Sequence, residues 1–133
     1  MLGKPQYGWT EITIGDYQDR AGFLTDVPFD FLDAMIASYK RRNTPFCVRC
    51  DAEGFEYSIV CNEGCDCQIN IKSRPPILIQ GVCKRELAKE IIDDIESSID
   101  DWATWRDTES VVIEARKKML GELTKELRKI IKY

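Results

Sequence analysis

Apolar and polar residues alternate near the start of the chain, giving way later to helical spacing. Trp9-Thr10-Glu11-Ile12-Thr13-Ile14 places Ile12 and Ile14 on one face and predicts a first strand, ended by Gly15-Asp16. A less regular stretch follows. Pro28 suits the first turn of a helix, where its missing N–H costs nothing. Phe31, Leu32, Met35, Ile36 and Tyr39 then form one apolar stripe. Lys40, Arg41 and Arg42 favour the end of that helix dipole, and Asn43-Thr44-Pro45 stops it.

Period-two alternation returns as a meander of three short strands. Residues 46–51 turn at Ala52-Glu53-Gly54, residues 55–61 turn at Asn62-Glu63-Gly64, and residues 65–72 complete the run. Ser73-Arg74-Pro75-Pro76 breaks the ladder, leaving Ile77-Leu78-Ile79 as a short fourth edge strand. From Lys84 the spacing is helical. Leu87, Ala88, Ile91, Ile92, Ile95, Ile99 and Trp102 mark one amphipathic helix, and Ile113, Leu120, Leu123, Leu127 and Ile130 a second. The join near Asp107-Thr108-Glu109-Ser110 lacks Gly and Pro, so one longer bent helix is an alternative. Strands first and helices last predict a single α+β domain over residues 1–133. Its sheet is mostly antiparallel, with one helix before the meander and two amphipathic helices at the C-terminus.

At 133 residues the chain should bury roughly two-thirds of its unfolded surface, so folding needs no disulfide or metal staple. Hydrophobic content of 44% and charged content of 32% describe a globular protein. Histidine is absent, which excludes Ser-His-Asp and Cys-His catalysis and any imidazole metal ligand. A net charge of −4 argues against a nucleic-acid partner. No GxGxxG or P-loop is present. Met1-Leu2-Gly3-Lys4-Pro5-Gln6-Tyr7-Gly8 has no signal-peptide core, and no stretch is apolar enough to span a membrane. The expected location is the cytoplasm, with the six cysteines as free thiols.

Cys47-Val48-Arg49-Cys50 is a CxxC with Cys61, Cys65 and Cys67 close downstream, and these five define an alternative zinc or redox site. Strand register opposes it. Residues three apart on a strand point to opposite sides, and Val48-Arg49 carries no turn chemistry. Cys61, Cys65 and Cys67 instead fall on the apolar face of their strands, a three-residue turn setting Cys61 opposite Cys65. The leading expectation is a core role without cofactor. Cys83, flanked by Lys84 and Arg85 at a helix start, is the candidate reactive thiol; its structural alternative is a small apolar corner residue.

Charge is unevenly placed. Residues 84–109 carry nine acids and four bases, net −5, whereas residues 110–133 carry three acids and seven bases, net +4. Two antiparallel helices with complementary flanks would account for this. The functional alternative is a face of Asp93, Asp94, Glu96, Asp100 and Asp101, with Trp102 and Trp105 as aromatic anchors, that captures a basic partner protein.

Trp9-Thr10-Glu11-Ile12-Thr13-Ile14-Gly15-Asp16-Tyr17 resembles the opening strand, W-x-E-I-x-I-G-D-(F/Y), of some bacterial immunity proteins of contact-dependent and polymorphic toxin systems. The likeness covers about nine residues. Downstream, Pro28-Phe29-Asp30-Phe31-Leu32 stands where those proteins tend to carry a tryptophan-rich helix. The resemblance implies a small cytoplasmic protein that plugs a toxin domain without catalysis, and it carries over no toxin-contact residue. Residues and resemblance together point to a non-catalytic protein-binding or regulatory module, with the cysteine-cluster metal or redox protein as the alternative.

Overall fold

The computed structural model describes every residue except Tyr7, Asn43, Asp107 and Thr108. Its elements run β1 (Trp9–Ile14), β2 (Tyr17–Gly22), α1 (Val27–Lys40), β3 (Phe46–Asp51), β4 (Glu56–Cys61), β5 (Asp66–Ile71), β6 (Ile77–Gln80), α2 (Lys84–Ser97), α3 (Ile99–Thr104) and α4 (Ser110–Ile131). β1 and β2 form a separate hairpin, and β3-β4-β5-β6 a four-stranded antiparallel sheet in sequence order. The α+β class and the antiparallel meander match the sequence pattern.

Register explains the layering. Phe46, Val48 and Cys50 on β3 face Cys61, Ile59 and Tyr57 on β4, while Cys61, Ile59 and Tyr57 also face Cys67, Ile69 and Ile71 on β5. Because faces alternate, these residues share one side of the sheet, and most are fully buried. α1 covers that side through an edge-to-face contact of Phe31 with Phe46. The hairpin covers it through Tyr17 against Tyr57, whose hydroxyl donates to the Arg20 carbonyl at 3.0 Å. Pro28 sits in the first turn of α1, and Phe31, Leu32, Met35 and Ile36 from its stripe are buried in the same core.

Three expectations need correction. Residues 17–22 are a strand, although Gln18, Asp19 and Arg20 give them little apolar character. β1 supplies the partner, and a tight turn at Gly15, with φ of +55°, folds the chain back. The expected helix from Lys84 to Trp102 is interrupted at Ser98, whose φ and ψ of −132° and 35° leave the helical region, so α2 and α3 are separate. Between β4 and β5 the turn closes with the Asn62 N–H donating to the Asp66 carbonyl, which sets Cys61 opposite Cys67 rather than Cys65. A shift of two residues keeps Cys67, Ile69 and Ile71 on their expected face, whereas Cys65, expected beside them, lies just before β5 and is exposed. α3 ends at Thr104 and α4 begins at Ser110; of the expected join, Asp107 and Thr108 lie outside the described residues, as does Asn43 of the α1 stop signal. Among the described residues no helix is long and apolar enough to cross a membrane.

Candidate functional site: a four-cysteine corner

The end of β4, the start of β5 and the connection from β6 to α2 meet at one corner of the sheet. Cys61 and Cys67 are directly opposed across the strands, Cα atoms 4.2 Å apart, and are joined by a buried disulfide. The Asn62–Asp66 hydrogen bond beside them makes theirs a non-hydrogen-bonded pair, where opposed Cα atoms approach most closely. Cys65, which is exposed, is joined to half-buried Cys83, with Cα atoms 4.1 Å apart. β6 makes this second pairing possible. Its register sets Cys67 opposite Ile79, and the Gly81 N–H donates to the Cys65 carbonyl at 2.8 Å, delivering the chain to Cys83 two residues later. The Cys67 Sγ lies 3.7 Å from the Val82 carbonyl oxygen, so the two disulfides are neighbours.

Cys83 is the N-cap residue of α2, extended at φ −91° and ψ 140°, with no side-chain cap. The unpaired N–H groups and positive dipole end of a helix favour a thiolate there. The adjacent Lys84 is 3% exposed and held firmly. Its ammonium donates to the Ser38 hydroxyl at 3.1 Å and to Glu63, and lies 4.3 Å from the centre of the Tyr39 ring. Glu63 belongs to the β4–β5 turn, so this clamp ties the turn carrying Cys65 to α1 and α2. Burial, then the Glu63 carboxylate, raises the Tyr39 phenol above its ordinary value.

The expectation of free thiols throughout is overturned for four of the six cysteines. The five-cysteine metal set is not assembled either. Cys47 faces Val60 on the exposed side of β3, and Cys50 faces Tyr57 toward the far end of the sheet. Burial pushes the Cys50 thiol up to about 12. Cys61, Cys65 and Cys67 do converge, and Cys83 joins them as a disulfide partner rather than a free reactive thiol. The signal for that was present: a β5–β6 hairpin turning at Pro75-Pro76 returns the chain to the Cys65 end of β5.

Of the expected partner face, the two aromatic anchors are corrected. Trp102 is fully buried and Trp105 is 9% exposed, the two rings meeting edge to face at 5.2 Å, so neither is a surface anchor. The helical stripe that places Trp102 beside Ile95 and Ile99 wins over the charged run around it. Each of the five acids has a partner within the chain. Asp93 accepts from the Tyr133 hydroxyl at 2.7 and 2.9 Å, and Asp94 from the Leu2 N–H at 2.9 Å. Glu96 pairs with Arg128 at 2.6 Å, Asp100 with Lys117 at 2.8 Å and Asp101 with Lys4 at 3.8 Å. The acceptor hydrogen bond to Asp93 holds the Tyr133 phenol above its ordinary value, and that to Asp100 does the same for the Lys117 ammonium. Two of these pairs, Glu96–Arg128 and Asp100–Lys117, join the acid-rich segment to the base-rich α4.

A second feature borders β3. Asp30 and Asp33, one turn apart on α1, line an open hollow of about 470 Å³ with Cys47 and Arg49. Burial raises both carboxyls above their ordinary values, with nearby carboxylates adding to it: Asp26 for Asp30, Glu126 and Asp26 for Asp33. No family model matches this chain, nor does any curated protein or any solved structure.

Proposed function

We propose that the chain is a small non-catalytic cytoplasmic module whose working part is the four-cysteine corner, a redox-linked site. The observation supporting this is the position of the Cys65–Cys83 disulfide: partly at the surface, at the start of a helix, beside a second disulfide that is buried. An external dithiol can reach the Cys65 sulfur. Its thiolate attacks there, forms a mixed disulfide and expels the Cys83 thiolate, the better leaving group at a helix N-terminus. The reductant's second thiol then closes its own disulfide and releases Cys65. Two electrons pass from the dithiol to the protein, and both cysteines end as thiols once Cys83 and Cys65 take up protons.

Opening this link removes the covalent tie between the β6–α2 connection and the turn before β5, leaving hydrogen bonds and the Lys84–Glu63 pair to hold them, which is how redox state would reach the rest of the fold. The test equilibrates the native protein in dithiol buffers of graded potential, traps thiols by alkylation and reads them by mass. Cys65 and Cys83 should open together, before Cys61 and Cys67, while the fold persists. If neither pair opens before global unfolding, the disulfides are staples and the reading is wrong.

A protein-binding role is the second reading, and the observation favouring it is β6. This strand forms one edge of the sheet, its Leu78 is 70% exposed, and Ile77 beside it is exposed too. An extended segment of a partner could add there by strand pairing. The immunity-type role implied by the Trp9–Tyr17 resemblance would use such a surface in place of the acidic face. A partner whose binding survives Leu78→Asp and Ile77→Asp unchanged would remove this surface from consideration.

A further inference from the structure

We propose that the reduced corner is a zinc site, with Cys61, Cys65, Cys67 and Cys83 as its four ligands; this rests on the redox-linked reading, which supplies the thiols. With both disulfides closed, the described residues hold no group of three or more Cys, Asp or Glu set to bind a metal. Reduction changes the donor set. Two dithiol equivalents convert two disulfides into four thiols, and Zn²⁺ then displaces four protons to give a tetrathiolate.

The backbone already brings the four together. Structural zinc sites are closed, tetrahedral and commonly all-cysteine, with Zn–S near 2.3 Å, which sets the sulfurs roughly 3.8 Å apart. Within each pair the Cα atoms are 4.2 and 4.1 Å apart, so modest side-chain rotation takes bonded sulfurs to that separation. Between pairs, Cys65 lies just before β5 and Cys67 within it, two residues on, so no more than about 7 Å of chain separates them. The Val82 carbonyl, bonded directly to the Cys83 nitrogen, lies 3.7 Å from the Cys67 Sγ. The ligands thus come from a hairpin and a helix start, held by the Gly81–Cys65 hydrogen bond and the Lys84–Glu63 clamp.

Charge fits as well. Four thiolates around Zn²⁺ leave a net −2, which the positive N-terminal end of α2, where Cys83 is the N-cap residue, offsets in part. Hard cations such as Mg²⁺ and Ca²⁺ prefer oxygen ligands and are disfavoured here. Cys47 and Cys50 take no part, being at other positions of the sheet.

The experiment uses the full chain, reduced anaerobically with a phosphine, to which Zn²⁺ or Co²⁺ alone is added. One metal per chain by native mass spectrometry, with the thiolate-to-cobalt charge-transfer and tetrahedral bands of a four-sulfur site, is the expected result. Cys65→Ser and Cys83→Ser should each weaken binding by more than about 100-fold, while the Cys47→Ser and Cys50→Ser controls keep it. A reduced, folded protein whose disulfides open and reclose but which takes up no zinc overturns the zinc site and leaves the redox reading intact. Pairs that never open in the native state sink that reading. Refolding the reduced chain with and without Zn²⁺ then decides the site alone, and equal refolding with no metal bound overturns it.

Discussion

Arg116 on α4 grips Asp26 at the start of α1 with two guanidinium nitrogens, at 2.7 and 3.1 Å. Asp26 occupies the N-cap position of α1 but makes no side-chain cap there; its carboxylate serves this longer-range contact. The same guanidinium donates to the Trp102 and Ala103 carbonyls, both at 3.2 Å, and lies over Phe29. It thereby adds a donor to carbonyls in the last turn of α3, where the Trp102 carbonyl also accepts the Trp105 N–H. Arg116 is 9% exposed, so its charge has few other ways to be stabilised. Arg116→Lys keeps the charge but loses the planar fork, and should cost about 3 kcal/mol. Thermal unfolding should show a Tm lower by about 10 °C. A change within about 2 °C would mean the brace contributes little.

The acids of α2 and α3 should separate by what they hold. Asp94 accepts the Leu2 N–H, and the N-terminal segment it anchors continues the hairpin edge through Gly3 N–H to Glu11 carbonyl and Thr13 N–H to Met1 carbonyl bonds. Asp94→Ala should cost about 1–2 kcal/mol and speed exchange of the Gly3 and Thr13 amides by about 10-fold or more. Glu96 and Asp100 hold exposed cations, so Glu96→Ala and Asp100→Ala should each cost less than about 1 kcal/mol, shrinking further in salt. Equal effects at all three positions would contradict this division.

How much of this was legible in the sequence depends on the range of the interaction. α1 and the meander follow from local period, because each apolar side chain must find the core whatever covers it. β2 is different: Gln18, Asp19 and Arg20 give no alternation, and the strand exists because β1 lies beside it. The faces of Cys61 and Cys67 are set by strand alternation, whereas Cys65 falls in the turn before β5. Their covalent partners are not set that way, since Cys65–Cys83 depends on a hairpin register eighteen residues long in sequence separation. Compartment reasoning then pointed to free thiols. Trp102 carried two contradictory local signals, an apolar stripe and an acidic neighbourhood, and burial of its large ring decided between them.

The two cysteines outside the corner should behave oppositely. Cys47 is exposed and should be alkylated in the folded protein, whereas Cys50 should label only on unfolding. With its thiol pushed up to about 12, Cys50 is protonated at any ordinary pH. The folded state holds this proton more tightly than the unfolded chain, whose thiol titrates near 9.0. That stability is complete below about pH 9 and is lost as pH rises toward 12. Tyr57 and Tyr17, raised chiefly by burial from 10.0, add a loss that begins later. Urea midpoints followed between about pH 7 and pH 11 should therefore start to fall near pH 9. In Cys50→Ala, less stable at neutral pH through lost volume, the fall should begin nearer pH 10. An unchanged onset would show that Cys50 does not contribute to the alkaline limb.

Two glycine substitutions should move stability in opposite directions. Gly15 turns the β1–β2 hairpin at φ +55°, and a Cβ there would come within 2.8 Å of the Ile79 Cγ2. Gly15→Ala carries both the left-handed backbone cost, about 1 kcal/mol, and a shift of the hairpin away from β6. The loss should be about 1–3 kcal/mol, with increased exposure of Ile79 to solvent. Gly121 lies inside α4, and a Cβ there meets nothing within 4 Å. Here glycine only adds entropy to the unfolded chain, so Gly121→Ala should stabilise by about 0.5–1 kcal/mol. Denaturant unfolding with the same slope for both variants would tie the two effects to the folded backbone. A destabilising Gly121→Ala would instead mean that α4 is approached closely at this position by a partner or a second copy.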